Sequence, residues 1–258
     1  MLVCQLCQNF IYPIKDQDLT CPGLYDRHDM TELSFLTPTL PGSATDQIFD
    51  AIYRAVVSLE LPPGAKISEV DVASRFDVSR QPVRDAFFRL SKLGFLAIRP
   101  QRATRVTKIS ERAVRDAAFV RAALEVACFQ VALDVITKDQ VVDLRALLQA
   151  QQDAVTRDAR AEFHDLDDAF HRRICEIAGH GHVWALIREQ KAHMDRVRFL
   201  SLSQDGQLAH DEHVVILDAL ETGDAAETEA RVRSHLGRIL TFVSHIRTKH
   251  AAYFEDEP

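Results

Sequence analysis

Val72-Ala73-Ser74-Arg75-Phe76-Asp77-Val78-Ser79-Arg80-Gln81-Pro82-Val83-Arg84-Asp85-Ala86-Phe87-Phe88-Arg89-Leu90 holds two short helical patterns joined by a tight turn. Ala73, Phe76 and Val78 are apolar at helix-and-turn spacing. Ser79 stands where a hydroxyl can cap the helix that follows. Val83, Ala86, Phe87 and Leu90 then recur at i, i+3, i+4 and i+7, which gives that second helix one buried stripe. Arg80 and Arg84, four residues apart, share a face away from the stripe. This is a helix-turn-helix, with guanidinium groups where the first turn of a recognition helix meets base edges in duplex DNA.

Net charge at first opposes such a partner, because the 258 residues sum to −7. Its distribution reverses the argument. Residues 45 to 108 contain eleven Lys or Arg against seven Asp or Glu, a local +4 that leaves −11 for the rest of the chain. Exposed charges are screened within about 8–10 Å, so the local balance decides phosphate attraction.

Length and a hydrophobic content of 47% allow one large or two ordinary domains with a real core. No apolar run reaches the length of a membrane span, and no basic region precedes a long apolar one as in a secretory signal. Five cysteines, an odd number in separate segments, suggest no disulfide framework, so a reducing cytoplasm is the expected location.

Residues 1–44 have no sustained period and contain Pro13, Pro22, Pro38 and Pro41; a mostly disordered arm is expected. Cys4, Cys7, Cys21 and His28 match no common zinc-finger spacing, which favours an unstructured tail over a metal site. A first helix, about 46–59, ends before Pro62-Pro63-Gly64, and Ser68 with Asp71 resembles a capping box. Beyond residue 108 the patterns are helical throughout: about 111–136, 138–155, 160–178, 182–203, 207–221 and 225–248. The expected fold is mainly α: a winged helix-turn-helix at 45–108, then an all-helical bundle at 109–250.

Ser79 through Ala86, followed by Leu90 and Leu93-Gly94-Phe95-Leu96, resembles the winged-helix signature of the GntR family of bacterial transcription regulators. Ile98 through Val106 is similar to that family's wing, except that Ala103 stands where the family usually has Gly. The resemblance implies a homodimer on a palindromic operator of double-stranded DNA, with Arg80 and Arg84 at guanines. Ser79, Gln81, Arg99, Arg102 and Arg105 would then meet phosphate or the minor groove.

In the bundle, Asp167 and His171 sit at i and i+4, a spacing that brings a carboxylate and an imidazole within reach of one ion. The stretch Asp211 through Asp224 and the later Arg233-Ser234-His235-Leu236 resemble the FCD effector domain of the FadR-like GntR subgroup. That resemblance implies a divalent metal (Zn, Ni, Fe or Mn) on Asp167, His171, His213 and His235, with a small organic acid as effector. Arg121 matches an arginine of the subgroup's first effector helix and is expected either to pair with the acid or to sit on the surface against Glu125. Of the eight other histidines, His164, His180, His182, His193, His210, His245 and His250 read as core or surface residues. Two alternatives stand beside this reading. One is a metal-independent regulator binding an acyl-CoA-like ligand; the other is a metal-dependent hydrolase or lyase, in which the winged helix would be idle.

Overall fold

A computed structural model describes residue 36, residues 42–201 and residues 206–256. The expected arm and its Cys4, Cys7, Cys21 and His28 lie outside the described residues, except for Leu36 and residues 42–44. Leu36 is buried in the core of the winged unit and its carbonyl accepts a hydrogen bond from Arg75 Nε at 3.2 Å.

The winged unit runs α1 (Ala44–Val57), β1 (Lys66–Ile67), α2 (Glu69–Phe76), α3 (Arg80–Lys92), β2 (Leu96–Ala97) and β3 (Thr104–Val106). Ser43 caps α1 through Asp46 N, and Ser68 caps α2 through Val70 N and Asp71 N. The turn between α2 and α3 is made by Asp77, whose φ of 51° falls in the left-handed region that Asp tolerates. Ser79 holds the N-cap position of α3, but its side chain makes no cap hydrogen bond, contrary to expectation. The stripe Val83, Ala86, Phe87 and Leu90 is the buried face of α3 and packs with Ile48, Ile52 and Val56 of α1. The three strands form an antiparallel sheet in the order β1-β3-β2, with Lys66 opposite Arg105 and Leu96 opposite Val106. In the wing turn it is Gln101, at φ 57°, that takes the left-handed conformation, so Ala103 needs no glycine-like freedom.

The bundle comprises α4 (Glu111–Val135), α5 (Lys138–Thr156), α6 (Arg160–Ile177), α7 (Gly181–Ser201), α8 (Gly206–Thr222), α9 (Ala225–Gly237) and α10 (Ile239–Lys249), then a short 3-10 turn (Ala251–Tyr253). Thr137 and Gln140 form a reciprocal capping box at the start of α5. The helix expected over 225–248 is broken at Arg238 into α9 and α10. Packing brings α4 against α6, α7 and α9, and α5 against α6 and α8. This leaves α6, α8 and α9 converging on one apolar interior built on Phe129, Phe170 and Leu217.

One helix belongs to both units. Ala192 of α7 is fully buried in the winged core. At the next residue, His193 Nε2 lies 3.0 Å from the Leu93 carbonyl and its ring stacks on Phe95 at 4.6 Å. Arg196, also fully buried, donates to the Thr107 carbonyl at 2.9 Å and lies over the same Phe95 ring.

Candidate metal centre and nucleic-acid interface

The start of α3 faces outward. Arg80 and Arg84 are 57% and 58% exposed and reach the same carboxylate of Glu69, at 2.8 and 3.6 Å. Gln81 is exposed and donates to Asp85 at 2.9 Å. Arg99 and Arg102 are exposed at the wing, while Arg105 donates to the Gly64 carbonyl at 2.7 Å, which ties the wing to the loop before β1. Exposed ion pairs of this kind are weak in water, so phosphates can displace Glu69 with little loss.

Inside the bundle, α6 supplies Asp167 and His171, α8 supplies His213 and α9 supplies His235; all four are buried. The Nε2 atoms of the three imidazoles face one another: His213 to His235 is 3.2 Å and His235 to His171 is 3.3 Å. Asp167 Oδ1 lies 3.5 Å from His213 Nε2. Each Nδ1 is turned toward an oxygen acceptor. His171 Nδ1 is 2.5 Å from Glu125 Oε2, His213 Nδ1 is 2.9 Å from Gln151 Oε1, and His235 Nδ1 is 2.6 Å from Glu212 Oε2. The Gln151 amide donates through its nitrogen to the Leu166 carbonyl at 3.0 Å, which orients its oxygen to His213.

These partners assign the tautomers. An Nδ1 facing a carboxylate or amide oxygen carries the proton, so Nε2 presents a bare lone pair. Three such lone pairs beside a carboxylate repel one another unless a cation lies between them. With metal–nitrogen bonds of about 2.0–2.1 Å, adjacent ligands on one ion stand about 3.0–3.4 Å apart, matching these separations. Burial, then the neighbouring His235, hold His213 well below its ordinary range, and burial with His171 does the same to His235; both are the neutral form a metal needs. The residues therefore fit a divalent ion.

A charged shell surrounds them. Arg198 of α7 grips Asp167 with two hydrogen bonds, 2.9 and 3.0 Å. Burial pulls the Asp167 carboxyl up, but Arg198, His171 and His213 outweigh it and hold the group well below the usual carboxylate range. Arg121 is buried, not on the surface, and pairs with Glu125 at 2.5 Å. Burial opposes ionisation of Glu125 too, yet Arg121 and His171 bring it down to about 2. Arg121 Nη2 has no hydrogen-bond partner among the described residues. Sequence reasoning missed Arg198, Gln151 and Glu212 as neighbours of the site. The available signal for Arg198 was the spacing Lys191, Asp195, Arg198, a charged i, i+4, i+7 stripe on a helix that has to be packed on both sides.

Comparison with known proteins agrees with both halves. Residues 44–106 match the profile of the bacterial regulatory proteins of the gntR family, and residues 116–238 match the FCD domain. The chain is 36% identical over 230 residues to the HTH-type transcriptional repressor RspR of Escherichia coli (strain K12), covering 88% of this chain and 100% of that one. It is 28% identical to the probable D-xylose utilization operon transcriptional repressor of Paenarthrobacter nicotinovorans, covering 79% of this chain and 90% of that one. Among solved structures, E. coli McbR/YncC shares the fold with a TM-score of 0.68 at 18% identity, over 81% of this chain and 100% of that chain.

Proposed function

The chain belongs to the GntR family of bacterial regulatory proteins, in the group with an FCD domain, and from that premise we propose a transcription regulator whose operator affinity is set by a small organic acid bound beside a divalent metal in the bundle. Its DNA-reading surface is Arg80 and Arg84 at base edges, with Ser79, Gln81, Arg99, Arg102 and Arg105 at phosphate or the minor groove. The working unit is a homodimer that sets two α3 helices in successive major grooves. The outer face of α4 supports that assembly: Phe119 is 76% exposed and shares the solvent side with Ala123, Ala127 and Val131.

Asp167, His171, His213 and His235 hold the ion. A bound divalent metal supplies a Lewis-acidic centre with positions left for a carboxylate. Arg121 Nη2, buried and undonated, is the second anchor for the acid. The charged groups gathered at the cluster, Arg121, Glu125 and Arg198, favour a short acid over an acyl chain. Arg198 clamps Asp167 at one end of α7, while Ala192, His193 and Arg196 of the same helix are set in the winged unit. A ligand that shifts Asp167 therefore biases the seat of the DNA-binding domain, and a coupling of about 1–3 kcal/mol is enough for regulation.

The observation that carries this reading is the set of three Nε2 lone pairs turned inward beside Asp167. Metal analysis of the purified chain tests it. Wild type is expected to hold about one ion per chain and His213→Ala close to none; equal metal content in the two proteins overturns the site.

A further inference from the structure

The solvent face of α3 carries one side chain that phosphate attraction does not account for. Phe88 is 59% exposed, the most of any large apolar residue described in the winged unit. The other apolar residues of the helix, Val83, Ala86, Phe87 and Leu90, are buried on the opposite side. Successive helical residues turn by about 100°, so Phe88 projects about 40° from Arg84 and about 20° from Gln81. Its ring therefore stands at the middle of the exposed face that Arg80 and Arg89 bound. Lys92, one turn further on, flanks the ring with its Nζ 5.2 Å from the centroid.

Single exposed apolar residues are common, so position decides what this one is for. Phe88 shares its face with the guanidinium and amide groups that read donors and acceptors on base edges. The major groove offers one apolar feature besides these, the C5 methyl group of thymine. Arginine and glutamine heads gain little from that methyl, whereas a phenyl ring removes it from water. The ring has its own apolar surface to bury and, in the free chain, more than half of it meets solvent. Phe88 follows Arg84 by four residues, a rise of about 6 Å, which spans about two base-pair steps of about 3.4 Å. Lys92 beside it supplies an ammonium for the flanking backbone phosphate.

We propose that Phe88 is a specificity-determining residue: it reads a thymine methyl about two base pairs from the guanine met by Arg84. This assignment rests on the reading of α3 as the helix that enters the groove. To test it, binding sequences are first selected from a randomised duplex library with the full-length chain. Each thymine of the selected duplex is then replaced, in both half-sites, by deoxyuridine, which lacks only the methyl, and affinity is measured by anisotropy at one salt concentration. For wild type, at least one replacement is expected to weaken binding by about fourfold per half-site, the scale of one methyl group returned to water. Phe88→Ala is expected to bind the thymine and deoxyuridine forms equally at that position, with thermal stability near wild type. Phe88→Leu, which keeps an apolar group, is expected to restore part of the preference. The assignment is overturned if wild type selects a sequence yet ignores every missing methyl, or if Phe88→Ala keeps the same preference. Enrichment of no sequence at all overturns the DNA-reading role of α3 itself, and the assignment with it.

Discussion

Arg84 reaches into solvent near the start of α3, and among the described residues its one ion pair is at 3.6 Å with Glu69, which it shares with Arg80. Such a side chain contributes little to the fold and is free to meet guanine. Arg84→Ala is expected to weaken operator binding by about 1–3 kcal/mol at fixed salt while leaving thermal stability near wild type; a superimposable binding isotherm would remove it from the recognition surface. At this scale the ligand-bearing residues were half legible. Asp167 and His171 announce themselves by their i, i+4 spacing, since one helix suffices to bring them together. Gln151 does not, because it meets His213 across 62 residues of chain. Glu212 is more misleading still: it neighbours His213 in sequence, yet its carboxylate serves His235 on the next helix.

Helix α7 joins the two units, and His193 gives it a measurable signature. Burial, then the charge of Arg196, depresses the imidazole from 6.5 to about 4, while its bond to the Leu93 carbonyl opposes the shift. A histidine depressed in the folded state stays neutral there and becomes protonated in the unfolded chain. Its contribution to stability is therefore complete above about pH 6.5 and is lost as pH falls toward 4, by about 3 kcal/mol in all. Wild type is expected to lose thermal stability between pH 7 and 5 more steeply than His193→Gln, which keeps a donor for Leu93. Parallel pH profiles would show that His193 does not titrate this way. Asp167 and Glu125 lose their contributions only at lower pH, so they do not obscure the comparison. Helix boundaries were readable to within about two residues because caps and apolar periods agree. The break at Arg238 was not: its φ of −55° and ψ of −38° are helical, and no proline marks it. Ser79 likewise occupies the cap position that its side chain leaves unused.

In the molecule as a whole, the two units are tied at the same level of the bundle that carries the charged shell of the buried Asp/His cluster. Ile109 at the entrance to α4 bridges Phe254 near the chain end, with hydrogen bonds of 2.8 and 2.9 Å to flanking residues. Arg196 and His193 reach back 89 and 100 residues to the winged unit. Periodicity reports which face of a helix is buried and not which partner buries it, so this docking left no trace in the sequence. If the buried cluster is energetically linked to the DNA-reading face, metal occupancy changes operator affinity. Anisotropy titrations of a labelled duplex from the chain's own upstream region, at one salt concentration, compare protein stripped of metal with protein reloaded with Zn, Ni, Fe or Mn ions. Reloading with at least one of these ions is expected to shift the operator Kd by a factor of about 5–150; identical isotherms for stripped protein and all four reloaded forms would show that the cluster and the DNA-reading face are uncoupled.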